Sequence, residues 1–136
     1  MIVVDAGVLY AAADTDDNDH EACLELLLER AGSLVVPLPV IGEVCYLVAS
    51  RLGADAEARF LTSLARGDAA VDHLITADLD RIAELVARYA DLPLGMVDAS
   101  VVAVAERLGV VELATIDRRD FTVVRPRHVE AFTLLP

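Results

Sequence analysis

Apolar and polar positions along the chain form two kinds of short block. Mostly apolar runs predict buried strands at 2–4, 33–37 and 110–116, with weaker strand candidates at 69–74 and 131–136. Apolar positions spaced three and four residues apart predict helices between them, at 7–13, 20–31, 39–52, 54–67, 77–91 and 99–108. Short apolar strands that alternate with helices are typical of an α/β sandwich with a mainly parallel sheet.

The chain is long enough for one domain with its own core. It has 136 residues, and neither a repeat nor a linker divides it. Although 56% of the residues are apolar, charges interrupt every run before it reaches the ~20 residues needed to cross a bilayer. The first residues lack the basic start of a signal peptide. We therefore expect a single domain over 1–136, in the cytoplasm and without membrane contact.

The charge of the chain limits its partners. The formal net charge is −12, and all eleven basic residues are arginine. Such a surface repels nucleic-acid phosphates, so any activity on RNA or DNA requires metal ions or a local arginine cluster. Acids such as Asp120 could pair locally with such arginines, or the arginines could contact phosphate. Four arginines do cluster, within ten residues and directly after Asp117: Arg118, Arg119, Arg125 and Arg127.

Four carboxylates have apolar surroundings in the sequence. Glu43 and Asp98 are each the only charge in an apolar stretch, of twenty and fourteen residues respectively. Asp5 and Asp117 each end an apolar strand, at the edge where parallel sheets form their ligand crevice. An ionised carboxylate in an apolar setting is costly unless it binds a metal or pairs with a cation. The nearby sequence offers no cation to Asp5, Glu43 or Asp98.

If these carboxylates meet in one cleft, a divalent cation is needed to offset their mutual repulsion. Oxygen ligands alone favour Mg²⁺ or Mn²⁺ over zinc, and such sites are typical of phosphodiester or phosphate-ester cleavage. Three of the four acids also have a simpler explanation. Asp5 and Asp98 can cap the helices that follow them, and Glu43 can lie on a solvated helix face.

The order of these residues resembles the PIN-domain ribonucleases and, more narrowly, the VapC-type toxins of toxin–antitoxin pairs. The similarity extends over the whole chain: Asp5 follows the first strand, Glu43 lies in the third helix, and Asp98 and Asp117 lie in "GMVDAS" and "ATIDRRDF". Its most specific part is "TIDRRDF" followed by "VRP". The resemblance implies a PIN-like three-layer α/β/α sandwich with a short, mainly parallel sheet.

The resemblance also implies a function. In this family the positions of Asp5, Glu43, Asp98 and Asp117 form an acidic catalytic pocket that holds Mg²⁺ or Mn²⁺. We expect Asp5, Asp98 and Asp117 to be the direct metal ligands. The implied reaction is cleavage of structured RNA, either tRNA or ribosomal RNA, by the toxin component of a type II toxin–antitoxin module.

The same resemblance indicates substrate contacts and partners. Thr115 lies where the family often carries a hydroxyl, and we predict that Thr115, Arg118 and Arg119 contact the RNA. The implied protein partners are a small cognate antitoxin and a second copy of the chain in a homodimer. Many members have Thr or Ser and then Ser or Asn after the first Asp, whereas this chain has Ala6 and Gly7.

Two other functions are compatible with the residues alone. One is a Mg²⁺-dependent phosphohydrolase that acts on small phosphate esters through the same pocket. The other is a PIN-like binding module without catalysis, whose carboxylates accept an arginine of a partner. Cleavage of RNA that depends on metal separates the nuclease from both.

Overall fold

The computed structural model describes all 136 residues and contains one sheet of five parallel strands. In chain order the strands are β1 (Ile2–Val4), β2 (Leu34–Pro37), β3 (Ala70–Asp72), β4 (Glu112–Ala114) and β5 (Thr133–Leu135). Their order across the sheet is β3-β2-β1-β4-β5, so the first strand lies in the middle. All five predicted strands are confirmed, and the sheet is parallel throughout.

Seven helices complete a three-layer α/β/α sandwich, and none of them is long and apolar enough to span a membrane. They are α1 (Ala6–Ala13), α2 (His20–Glu29), α3 (Leu38–Leu52), α4 (Ala54–Ala65), α5 (Thr76–Arg88), α6 (Met96–Leu108) and α7 (Arg118–Val123). The most buried helix is α6, in which residues 99–105 are all buried against α3, α5 and the central strands. This explains why the sequence of α6 is apolar on every side.

Two features of the helices differ from the sequence prediction. Helix α7 was not predicted, because its six residues include three charges and show no apolar period. It forms because Asp117 caps its first turn and Phe121 is buried in the core. Helix α6 begins at Met96 after a cap at Gly95, so Asp98 lies in the first turn and the prediction that it caps the helix is wrong.

The direction in which the strands are added to the sheet reverses between β1 and β4, and this position is called the switch point. The chain leaves β1 toward β2 on one side and leaves β4 toward β5 on the other. Open α/β sheets bind their ligands in the crevice at the carboxyl ends of the strands at such a point. The fold therefore predicts a ligand site at the residues that follow Val4 and Ala114.

Arg107, near the end of α6, connects α6 to the end of β3 and to the first turn of α5. Its guanidinium donates to both carboxylate oxygens of Asp78 at 3.1 Å and to Asp72 at 2.5 Å. Asp78 is only 5% exposed, and it also accepts the N–H of Ile75 before the first turn of α5. The buried Asp78 carboxylate therefore depends on Arg107 for charge compensation.

We predict that Arg107→Leu lowers the free energy of unfolding by about 2 kcal/mol, because it leaves a buried carboxylate without its partner. Urea unfolding at pH 7 measures this change. Arg66→Leu, at the exposed end of α4 and without an ion pair, is the matched control and should change stability by less than about 0.5 kcal/mol. Equal effects of the two substitutions would contradict the prediction.

Candidate active site

The carboxyl ends of β1 and β4 meet at the switch point. Val4 pairs with Ala114, so Asp5 and Thr115 each follow a paired residue on neighbouring strands. The backbone N–H of Asp5 donates to the carbonyl of Ala114 at 2.9 Å, which extends the ladder by one bond. Two residues 110 positions apart in sequence therefore lie side by side.

Asp5 is a buried carboxylate that is 5% exposed. Its Oδ1 accepts the N–H of Ala6 at 2.8 Å, which caps α1, and its Oδ2 accepts the hydroxyl of Thr115 at 3.1 Å. The predicted cap role is confirmed. It does not exclude a metal ligand, because a carboxylate has lone pairs that these two donors leave free.

Thr115 is fully buried and links two acids of the site. Its hydroxyl donates to Asp5 and accepts the backbone N–H of Asp117 at 3.0 Å. We predicted a substrate contact at this position, but a side chain without exposed surface does not reach RNA in this conformation. The structure instead makes Thr115 the residue that orients Asp5 and the Asp117 turn.

Three acids of the site form a tight cluster, Asp98, Asp117 and Asp120. One carboxylate oxygen of each is within 4.8 Å of the other two. Asp98 comes from the first turn of α6, whereas Asp117 and Asp120 come from the start of α7, where the Asp117 carboxylate accepts the N–H of Asp120 at 3.4 Å. The donors are all oxygen atoms, which is the set that Mg²⁺ and Mn²⁺ prefer. The three residues therefore fit a divalent cation.

Asp120 was not predicted as a site residue, and the sequence suggested it only as one possible ion-pair partner of the nearby arginines. The available signal was its spacing of three residues after Asp117. Two acids three residues apart at the start of a helix lie on the same side of it. This spacing was not used because α7 itself was not predicted.

The site carboxylates have no arginine or histidine ion-pair partner. Burial, and then repulsion from the neighbouring acids, raises the pKa of Asp98 from 3.8 to about 7. Burial also raises the pKa of Asp5 to about 6, although its two hydrogen-bond donors act in the opposite direction. Desolvation and then Asp117 raise the pKa of Asp120 as well. These shifts report a concentration of negative charge that the chain itself does not balance.

Glu43 lies at the rim of this cluster. It is exposed on α3, and its charge is among the causes that raise the pKa of both Asp5 and Asp98. It is not one of the three acids that lie closest together. The structure therefore brings Glu43 to the site, at the edge that faces solvent.

Two of the four clustered arginines have side-chain partners away from the site acids. Arg118 donates to the carbonyl oxygens of Leu134 and Pro136, on and after β5. Arg127 donates to Glu84 at 2.6 Å. Arg119 is the member of the cluster whose charge acts on the site, because it lowers the pKa of Asp120. Arg118 and Arg127 are therefore engaged away from the site carboxylates.

The sequence of residues 2–125 matches the family model of the PIN domain. The chain belongs to the PIN domain family. It is 36% identical over 135 residues to Ribonuclease VapC26 of Mycobacterium tuberculosis, and the alignment covers 99% of this chain and 100% of that protein. The family and the fold that the resemblance implied are thereby confirmed.

Solved structures share the architecture of this PIN domain. VapC20 of Mycobacterium tuberculosis, described as a sarcin-ricin loop cleaving toxin, matches with a TM-score of 0.85 at 22% identity, covering 96% of this chain and 99% of that one. VapBC2 from Rickettsia felis, bound to a DNA fragment from their promoter, matches with a TM-score of 0.70 at 15% identity, and both chains are covered completely. At these identities the likeness shows the fold.

A separate apolar groove of about 650 Å³ lies between α1, α2 and α4 of this PIN domain. Leu9, Leu27, Leu28, Phe60 and Leu64 are among its lining residues, and none of the site acids is. This apolar groove and the candidate metal centre are therefore different places on the molecule. The carboxylates, and not the groove, hold the groups that can perform chemistry.

We predict that Asp98→Asn stabilises the metal-free PIN domain by about 1–2 kcal/mol at pH 8 and by less at pH 5. A carboxyl whose pKa is raised by folding contributes its full stability below pH 4, and this contribution is lost as the pH rises through about 7. Asparagine does not ionise, so the variant does not lose this stability as the pH rises.

Thermal unfolding in a chelating buffer at the two pH values measures this difference. Asp68→Asn, which neutralises an exposed acid outside the site, is the control and should show no gain that grows with pH. An equal gain for Asp98→Asn at both pH values would contradict the assignment of the raised pKa.

Proposed function

We propose that this PIN domain is a metal-dependent endoribonuclease that acts as the toxin of a type II toxin–antitoxin module. The observation that carries the proposal is the meeting of five carboxylates at the switch point, without a cationic side chain paired to any of them. Such an arrangement costs folding free energy and is expected where a cation binds. The 36% identity to Ribonuclease VapC26 supports the reaction.

The proposed cation is Mg²⁺ or Mn²⁺. Asp98, Asp117 and Asp120 would hold it, and Asp5 offers a further oxygen whose direction Thr115 sets. When bound, a divalent cation supplies a Lewis acid that lowers the pKa of water and offsets the charge of the reacting phosphate. The contribution of the protein is to keep these oxygens in place through the hydrogen bonds at the switch point.

The remaining residues of the site act on the RNA and on the attacking water. Glu43 is exposed at the rim, where its carboxylate can accept the proton of that water. Arg119 lies close enough to Asp120 to contact a phosphate of the substrate. Arg118 contacts phosphate only if it exchanges the carbonyls of Leu134 and Pro136 for the RNA.

The proposed substrate is structured RNA, either tRNA or ribosomal RNA. The name of VapC26 and the description of VapC20 as cleaving the sarcin-ricin loop support a target of this class. With a net charge of −12 the protein lacks a basic surface that would hold RNA through release of counterions. Binding therefore depends on positive charge at the site itself, from the cation and Arg119.

We predict that the purified protein cuts total RNA into discrete fragments in Mn²⁺, and that a chelator abolishes the cleavage. Asp98→Asn should lower the rate at least about 100-fold, because it removes a carboxylate from the closest cluster. Gel analysis of timed reactions measures both effects. Asp68→Asn should cleave at the wild-type rate, since its exposed acid lies outside the site.

Two outcomes would contradict the proposal that the protein is a nuclease. Release of phosphate from small phosphate esters without RNA cleavage would favour the phosphohydrolase. Binding of a protein partner without metal or cleavage would favour a binding module that has lost catalysis.

A toxin requires an inhibitor, and the apolar groove between α1, α2 and α4 supports a protein antitoxin. The groove is lined mainly by apolar side chains and is large enough to receive several side chains of a partner helix. The charge of −12 favours a basic partner. The VapBC2 structure, bound to a DNA fragment from their promoter, supports a module of this kind.

We further predict that the toxin is a homodimer, since it exposes large apolar side chains on α3, α5 and α6. Tyr46 on α3 is the most exposed of them at 74%, and Leu79 on α5 and Met96 on α6 are also exposed. Light scattering should give twice the chain mass of 14.6 kDa. Tyr46→Glu should shift the protein toward monomer, whereas Leu61→Glu on α4 should not, and a monomeric wild type would contradict the prediction.

A further inference from the structure

Gly7 lies where α1 meets the turn that carries Thr115 and Asp117. It is the second residue of α1, two positions after Asp5. A Cβ added at Gly7 would lie 2.9 Å from Cγ1 and 3.2 Å from Cδ1 of Ile116, both shorter than ordinary van der Waals contact. Only a residue without a side chain therefore lets Ile116 approach the first turn of α1 this closely.

Ile116 is the middle residue of a turn whose two ends belong to the site. The hydroxyl of Thr115 accepts the N–H of Asp117 across this turn and donates to Asp5. A β-branched side chain has restricted χ1 rotamers, so Cγ1 of Ile116, the atom nearest to the added Cβ, has less freedom to move aside than the terminal Cδ1. A group added at Gly7 would therefore push the whole turn, with Thr115 and Asp117, away from α1.

We propose that Ile116 is a positioning residue that sets the separation of the Asp5 and Asp117 carboxylates by resting on the bare backbone of Gly7. The contact joins the first turn of α1, which Asp5 caps, to the residue before Asp117. Ile116 is 40% exposed, so burial in the core is not its main contribution. This inference rests on the proposed binding of a divalent cation at the same site.

The test uses titration calorimetry with Mn²⁺ alone on the full chain. Four proteins are compared: wild type, Gly7→Ala, Ile116→Ala and the double variant. Gly7→Ala should weaken Mn²⁺ binding about 10-fold, the size of effect seen when groups behind metal ligands are disturbed. Ile116→Ala should weaken binding less, because the turn loses support without being pushed. The double variant should bind Mn²⁺ at least as well as Ile116→Ala, since the new methyl group enters the space that the isoleucine leaves.

Melting temperatures in chelator distinguish this effect from loss of folding. Gly7→Ala should melt no lower than about the wild-type temperature, because alanine is the better helix former and compensates for the contact. Gly42→Ala is the matched control: it is the same change in α3, beside Glu43, where nothing lies within 4 Å of an added Cβ. It should raise the melting temperature and leave Mn²⁺ affinity unchanged.

The results separate this inference from the proposed function. Wild-type protein that neither binds Mn²⁺ nor cleaves RNA would overturn both. Wild-type protein that does both, with Gly7→Ala binding Mn²⁺ equally well, would overturn the positioning role alone. An additive double variant, weaker than either single variant, would also overturn it, because two residues that act through one contact must show coupling.

Discussion

The parallel pairing of β1 with β4 is the constraint on which the rest of the site depends. It aligns Val4 with Ala114 and thereby places Asp5 beside Thr115, although they are 110 residues apart. The hydroxyl of Thr115 then connects Asp5 to the turn before α7. The positions of Asp117 and Asp120 follow from that turn. If the pairing slipped by one residue, these side chains would point to the opposite face of the sheet.

The carboxylates of the site repel one another, and the rest of the fold holds them together. Burial and mutual repulsion raise the pKa values of Asp5 and Asp98, which means that the ionised pocket opposes folding near neutral pH. A core of 32 buried apolar residues, continuous through the sheet and α6, supplies the stability that offsets this cost. The proposed function and the stability of the fold therefore make opposite demands on the same few carboxylates.

The distribution of charge also defines how an acidic protein can act on a polyanion. Four of the eleven arginines serve the fold: Arg30, Arg81, Arg107 and Arg127 are paired with acids elsewhere on the molecule. Arg119 is left beside the carboxylates. In the proposed nuclease, recognition of RNA would therefore be concentrated at the site carboxylates and Arg119, and the acidic surface around them would discourage nonspecific association.

The sequence by itself determined the α/β class, the five strands, the buried α6 and the acids Asp5, Glu43, Asp98 and Asp117 as candidates, because hydrophobic periodicity and isolated charges are local properties. Tertiary structure decided which of them meet. It joined Asp120 to Asp98 and Asp117, left Glu43 at the rim, and buried Thr115. It also gave Arg118 and Arg127 partners away from the site. Tertiary structure also explains why glycine occupies position 7. A Cβ there would collide with Ile116, which lies more than a hundred residues away in the sequence. Distances between residues far apart in sequence depend on strand order and register, which no local pattern encodes.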